Sequence, residues 1–201
     1  MQSNSINTFC VGTADLSVLR QYLLSLFVNH AYAEGDFLLS SQQKSAHYIN
    51  GKQVTLRAEG AVIIGRLLLS MLPEDTQGVA GLTLGGDPIV TSVITVSAYE
   101  NCPISALIVR KEAKGHGTQA YIEGPTLEEG AKVVVLEDVV TTGKSVILAV
   151  ERLRAVGYKV DRVIALVDRE QGGAVHCQSQ GLEFKAVFSI TELQKIYREK
   201  F

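Results

Sequence analysis

The stretch from Lys132 to Ser145, KVVVLEDVVTTGKS, leaves the chain few ways to fold. It begins on an unbroken run of Val and Leu, the composition of a strand covered on both faces, which proteins use in parallel sheets. Glu137 and Asp138 stand where that strand is expected to end. Thr141, Thr142 and Gly143 then make a turn, and Lys144 and Ser145 open a helical pattern that runs to about Val156 and stops at Gly157. A buried strand feeding a helix through a glycine turn is half of a right-handed βαβ unit. Ligands of open α/β sheets bind at the carboxyl ends of such strands, so chemistry is expected at this turn.

The same alternation runs on in both directions. Val79 to Leu84 reads as a buried strand, Gly85 and Gly86 as a tight turn, and Asp87 as an N-cap with Pro88 in the first turn of a helix that reaches Tyr99. Ile104 to Arg110, Val160 to Val167 and Phe184 to Phe188 read as further strands, and Thr191 to Lys200 as a terminal helix. Nearer the N-terminus, Asp15 to Tyr32 has helical spacing. Phe37–Ser40 and Tyr48–Asn50 read as a hairpin over the polar residues 41–45, and Val54 to Leu72 reads as one helix ended by Pro73. The expected fold is α/β, a central mostly parallel sheet flanked by helices. With 201 residues, 46% of them hydrophobic, and no linker or repeat, a single domain over residues 1–201 is expected.

Composition narrows the partners. A net charge of −2 and a pI near 6.1 leave no basic footprint for nucleic acid. The longest apolar run, Ala61 to Leu72, is interrupted by Arg66 and too short to cross a bilayer. The opening MQSNSINTFC lacks the basic start and apolar core of a signal peptide. Cys10, Cys102 and Cys177 are odd in number and widely spaced, with neither a CxxC nor a metal-ligand spacing. A cytoplasmic, reducing compartment is expected, with no nucleic-acid or membrane partner.

Four polar features fall at strand ends and would share one rim of the sheet: GGD at 85–87, the glycine-containing loop RKEAKGHGTQAYIEG from Arg110 to Gly124, EDVVTTGKS, and DRE at 168–170. Backbone N–H groups and hydroxyls from Thr141 to Ser145 suit a phosphate at a helix N-terminus. Glu137 and Asp138 cannot hold phosphate oxygens directly; they suit sugar hydroxyls, or a metal shell through water. Side by side, the two features read as a sugar-phosphate site. A plainer reading makes Gly143 an ordinary strand-to-helix turn and the carboxylates a helix-dipole feature. It explains the turn but not two adjacent carboxylates ending an apolar strand. Two short-motif matches fail. Gly143-Lys144-Ser145 mimics a Walker A ending, but Asp138 stands where that loop needs a glycine, and Gly115 to Ala120 mimics GxGxxA without a preceding strand. Read plainly, Arg110, Lys111 and Lys114 are a solvated cluster and Arg169 is a surface ion pair with Asp168 or Glu170. His30, His47 and His176 lack ligand-like partners and are assigned no role.

VVVLEDVVTTGKS resembles the phosphoribosyl-pyrophosphate (PRPP) signature of type I phosphoribosyltransferases. RKEAKGHG closely resembles the mobile catalytic loop of the orotate phosphoribosyltransferases, and DREQGG and the FLLSSQQKSAHYIN hairpin match the same family, so the resemblance spans about Phe37 to Gly173. It implies the type I phosphoribosyltransferase fold, with a small hood from about residues 14–55 and the C-terminal segment. It further implies transfer of ribose 5-phosphate from PRPP to N1 of orotate, giving orotidine 5′-monophosphate and pyrophosphate in pyrimidine biosynthesis. Residue by residue, it implies that the signature holds PRPP through Val139, Val140, Thr141, Thr142, Gly143, Lys144 and Ser145, the residues from Thr141 on taking the 5′-phosphate. Glu137 and Asp138 would face the ribose hydroxyls, with a catalytic part for Asp138. Arg110, Lys111, Lys114 and His116 would meet the pyrophosphate, Lys114 and His116 as catalytic groups. Thr141 and Arg169 would contact orotate, Arg169 at its carboxylate, and Tyr48 and Ile49 would line the base. Mg²⁺ would arrive with PRPP rather than on direct protein ligands. The loop of this family reaches the neighbouring subunit's site, which implies a homodimer.

The residues agree with that chemistry. Cations and Mg²⁺ stabilise charge growing on a leaving pyrophosphate, and carboxylates favour the cationic sugar left behind. A closing loop would keep water out. The sequence departs from the family at Ser40 and Gly85, where many members carry PRPP-binding lysines, and at Lys144, where Thr or Ser is usual. Those departures leave backbone N–H groups at Gly85 and Gly86 as pyrophosphate donors. Transfer to a base other than orotate, or a PRPP-binding regulator without catalysis, are the alternatives.

Overall fold

A computed structural model describes residues 10–38, 44–113 and 121–201. Ser40, Lys114 and His116 lie outside the described residues. Helix α1, Leu16–Leu26, continues through a π-helical turn, Phe27–Ala31, into a hairpin of β1, Tyr32–Leu38, and β2, Lys44–Ile49. The hairpin expected from the sequence is present, but its first strand begins five residues earlier than Phe37. Then follow α2 (Lys52–Thr55), α3 (Ala58–Met71), β3 (Gly78–Leu82), α4 (Asp87–Tyr99), β4 (Ser105–Val109) and β5 (Ile122–Glu123). The chain closes with β6 (Val133–Val140), α5 (Lys144–Ala155), β7 (Arg162–Asp168), α6 (Gly173–Ser179), β8 (Glu183–Ser189) and α7 (Ile190–Lys200).

The six-stranded sheet runs β5-β4-β3-β6-β7-β8, parallel throughout except for the short antiparallel β5. Strand alternation divides the core between its faces. Val79, Val134, Leu136, Ile164 and Phe188 pack under α1, α3, α4 and α7. Ala80, Val133, Val135, Val163 and Ala165 pack under α5 and Cys177 of α6. This is the expected mostly parallel α/β sheet, with β3 and β6 adjacent at its centre.

Three expectations on elements need correcting. The helix expected over Val54–Leu72 is two, because the chain leaves helical geometry at Arg57 (φ −90°, ψ 146°). Gly60 allows that join: a Cβ there would lie 2.1 Å from the Val54 carbonyl oxygen. Strand β6 does not end at Glu137 but runs on to Val140, so both carboxylates are strand residues. Asp87 is not the N-cap of α4; Gly86 holds that position, and Asp87 accepts a hydrogen bond from the Thr83 hydroxyl at 2.8 Å.

Candidate active site

At the carboxyl ends of β3 and β6 lies a cleft of about 650 Å³, lined among others by Lys52, Gly85, Lys111, Glu137, Asp138 and Ser145. Because successive strand residues point to opposite faces, β6 sends its two carboxylates different ways. Glu137 goes to the α5 side, with Ser145 lining the same cleft. Asp138 goes to the α2 side, beside Gly51 and 3.9 Å from the Lys52 ammonium. Burial first, and then the charge of Asp138, push the Glu137 carboxyl up to about 8. Gly85 closes over the pair: a Cβ there would lie 2.8 Å from Asp138 Oδ1 and 2.9 Å from Glu137 Oε1. A side chain at position 85 would need these carboxylate oxygens, the far ends of their side chains, to shift. Of the two amides expected to serve in its place, that of Gly86 is already bonded to the Leu82 carbonyl at 2.9 Å.

The turn after β6 is built from two sides. Gly143 caps α5 at φ +78°, a left-handed conformation that glycine adopts without cost, and its carbonyl accepts the Ile147 amide. On the far side, α6 braces the turn. Gly173 packs so closely that a Cβ would lie 2.4 Å from Val140 Cγ1 and 2.8 Å from the Thr141 carbonyl oxygen, and His176 Nδ1 lies 3.0 Å from the Thr142 carbonyl oxygen. Sequence alone assigns His176 no role, because the turn it meets lies 34 residues away in the chain. Val140 is a core residue, its side chain 1% exposed and its carbonyl taken by the Arg169 amide, so it shapes the turn from beneath. Lys144 and Thr142 are exposed, Thr141 is half-buried and Val139 lines the cleft.

Arg169 does not pair with its acidic neighbours. Asp168 accepts the Glu170 amide at 2.8 Å, and Glu170 caps α7 by bonding the amide and hydroxyl of Thr191. The guanidinium, 7% exposed, turns instead to the hairpin. Its Nη2 lies 3.2 Å from Ser45 Oγ and 3.1 Å from His47 Nε2, while its buried Nε has no partner among the described residues. Burial pulls its pKa down. Alternation along β2 puts Ser45, His47 and Ile49 toward the body of the protein and Tyr48 away from it, 43% exposed against Phe37. The hairpin therefore turns His47, to which the sequence alone assigned no role, toward Arg169, and Tyr48 toward its outer face. Ile49 packs at the edge of the core.

The 110–124 segment leaves β4 with Arg110 bonded to Glu123 at 3.1 Å, so that Arg110 sits at the base of the loop, whereas Lys111 reaches the cleft. Arg152 of α5 grips this base. It donates to the carbonyls of Arg110 and Lys111, and its guanidinium lies 3.9 Å from the centre of the Tyr121 ring.

Residues 58–189 match the phosphoribosyl transferase domain family. An orotate phosphoribosyltransferase of a Nostoc species is 70% identical over 94% of this chain and 91% of its own length, and one from a Synechocystis species is 68% identical over 94% and 95%. The chain belongs to the orotate phosphoribosyltransferase family. A crystal structure of the Mycobacterium tuberculosis orotate phosphoribosyltransferase in complex with PRPP has 32% identity and a TM-score of 0.74, covering 88% of this chain and 99% of that one. Membership in this phosphoribosyltransferase family fits the arrangement here, an acidic pair directly before a phosphate-sized turn. No helix among the described residues is long and apolar enough to cross a membrane.

Proposed function

We propose that the chain transfers ribose 5-phosphate from PRPP to N1 of orotate, releasing pyrophosphate and forming orotidine 5′-monophosphate for pyrimidine nucleotide synthesis. The observation that carries this reading is the acidic pair of β6 set against the turn braced by α5 and α6, in a chain of this family. The turn from Thr141 to Ser145 holds the 5′-phosphate with amides at the α5 N-terminus. Glu137 and Asp138 hold the ribose hydroxyls, and Asp138 stabilises the positive charge that grows on the sugar as its bond to pyrophosphate stretches. The Arg169 guanidinium, whose buried Nε has no partner, takes the orotate carboxylate. Lys111 meets the pyrophosphate together with Arg110, Lys114 and His116, the last two as the catalytic cations of the loop.

The donor set fits a hard cation. Two oxygen-rich side chains meet at the cleft, the charge of one suppresses ionisation of the other, and a divalent ion carried on diphosphate oxygens relieves that repulsion. Mg²⁺ bound with PRPP supplies charge neutralisation of the leaving pyrophosphate. The enzyme acts in the cytoplasm as a homodimer whose loops are exchanged between sites, and the hairpin with α7 forms the hood over the base. Loss of orotate absorbance on adding PRPP and Mg²⁺ tests the activity. No turnover at high enzyme concentration, or equal turnover of uracil, would count against it.

A further inference from the structure

We propose that His47 is a positioning residue for orotate, holding the Arg169 guanidinium in a carboxylate-binding orientation only while its imidazole is neutral. This rests on the assignment of Arg169 to the orotate carboxylate. The geometry comes from both partners. Arg169 can only donate, so His47 Nε2, 3.1 Å from Nη2, has to accept. That fixes the ring proton on Nδ1, 3.5 Å from the Gln194 side-chain amide, which must turn its oxygen toward the ring to accept it. Ser45 Oγ takes the same Nη2 at 3.2 Å, so two acceptors on β2 tie down one corner of the guanidinium. The Nε edge, buried and unpartnered, is left for a ligand. With both Nη2 hydrogens given to β2, a carboxylate oxygen can still accept the Nε–H, and the cost of leaving a buried donor unmade favours an anion in that place.

The surroundings decide the charge of His47. From β1, the Tyr32 ring stacks on it at 6.2 Å, and Glu34 is the one acidic group that raises its pKa. The Glu34 carboxylate is shared, accepting from the Tyr32 hydroxyl at 3.0 Å and from Arg198 of α7 at 3.1 Å. Gln194 contributes no charge. Burial and the Arg169 charge outweigh Glu34 and lower the imidazole pKa. Protonation would set an N–H on Nε2 against the N–H of Arg169, with two positive charges at hydrogen-bond distance. The guanidinium would swing off Ser45 and lose its fixed orientation.

The test is steady-state kinetics of the full-length enzyme with PRPP and Mg²⁺, varying orotate. In the wild type the KM for orotate rises as pH falls below the ordinary imidazole range. His47→Gln keeps an acceptor that does not titrate, so its KM stays flat over the same range. His47→Leu removes the acceptor and raises the KM for orotate about tenfold at neutral pH, the loss of one hydrogen bond to a charged group, with the KM for PRPP changed much less. A KM for orotate that falls at acid pH, or an equal pH dependence in His47→Gln and wild type, overturns the proposal. Arg169→Ala separates the two assignments. If it leaves the KM for orotate unchanged, the carboxylate assignment itself fails; if it raises that KM while His47→Leu does not, only the role of His47 fails.

Discussion

One methyl group would disturb this site at Gly173. Its Cβ would fall 2.4 Å from Val140 Cγ1 and 2.8 Å from the Thr141 carbonyl oxygen, and the second of these is backbone that cannot rotate away. Gly173→Ala is expected to push α6 off the turn, costing about 1–3 kcal/mol of stability as an overpacked contact does. It should also raise the KM for PRPP about tenfold, one misplaced charge-assisted contact at the phosphate turn. An unchanged KM for PRPP would show that the turn does not depend on α6. Glu137 makes a second prediction, through pH. Its carboxyl is held up to about 8 against an ordinary value of 4.5, so the fold favours the protonated form. The stability this contributes is present below the ordinary value and is lost as pH rises through about 8. Glu137→Gln cannot ionise, so its melting temperature should gain on the wild type as pH rises from the ordinary value of 4.5 to about 8 in the absence of ligand, even as its activity falls. A gap that does not change with pH would contradict the buried-acid assignment.

At the scale of elements, α5 joins two parts of the site that are far apart in the sequence. Its first residues follow the phosphate turn, and Arg152, two turns on, holds Arg110, Lys111 and Tyr121 at the root of the loop. Arg152→Ala removes two charge-assisted hydrogen bonds and a cation–π contact, the last worth about 0.5–2 kcal/mol. Turnover at saturating substrates is expected to fall about tenfold or more, with faster hydrogen exchange at 110–113. Arg152→Lys should not restore it, because a point charge cannot serve two carbonyls and a ring together. Full activity in Arg152→Ala would sink the idea. What the sequence could and could not disclose follows from the same physics. The β6 turn was legible because a strand buried on both faces has one composition and the residues that follow are local to it. Arg169 was legible only through family resemblance, since its partners Ser45 and His47 are 124 and 122 residues away and no local pattern connects them. The contact of His47 was not legible because nothing local to β2 marks a partner 122 residues away. The break before α3 was missed because Leu56 and Arg57 carry no breaker signal, and its one trace, Gly60, lies inside the following helix.

At the scale of the whole molecule, the cleft does not end at its own rim. Lys52 and Leu84 line both it and a second, mostly apolar groove of about 700 Å³ between α2, α3 and α4. Leu56 and Leu84 stand 71% and 70% exposed along that groove, a cost that a lone subunit has no evident reason to bear. In the homodimer proposed above, a partner docked on this groove would cover both leucines. If that docking forms the proposed dimer, Leu56→Asp is expected to lower the mass in light scattering to that of a monomer and to reduce turnover in parallel, while leaving the melting of the fold little changed because the side chain is already in water. Mixing two variants tests the sharing of sites directly. If Lys114 acts across the interface and Glu137 within its own subunit, Lys114→Ala and Glu137→Gln are each inactive alone, yet random exchange gives mixed dimers with one intact site. Activity should recover to about a quarter of wild type. If both residues serve one subunit's site, no mixture recovers, and the loop closes over its own cleft.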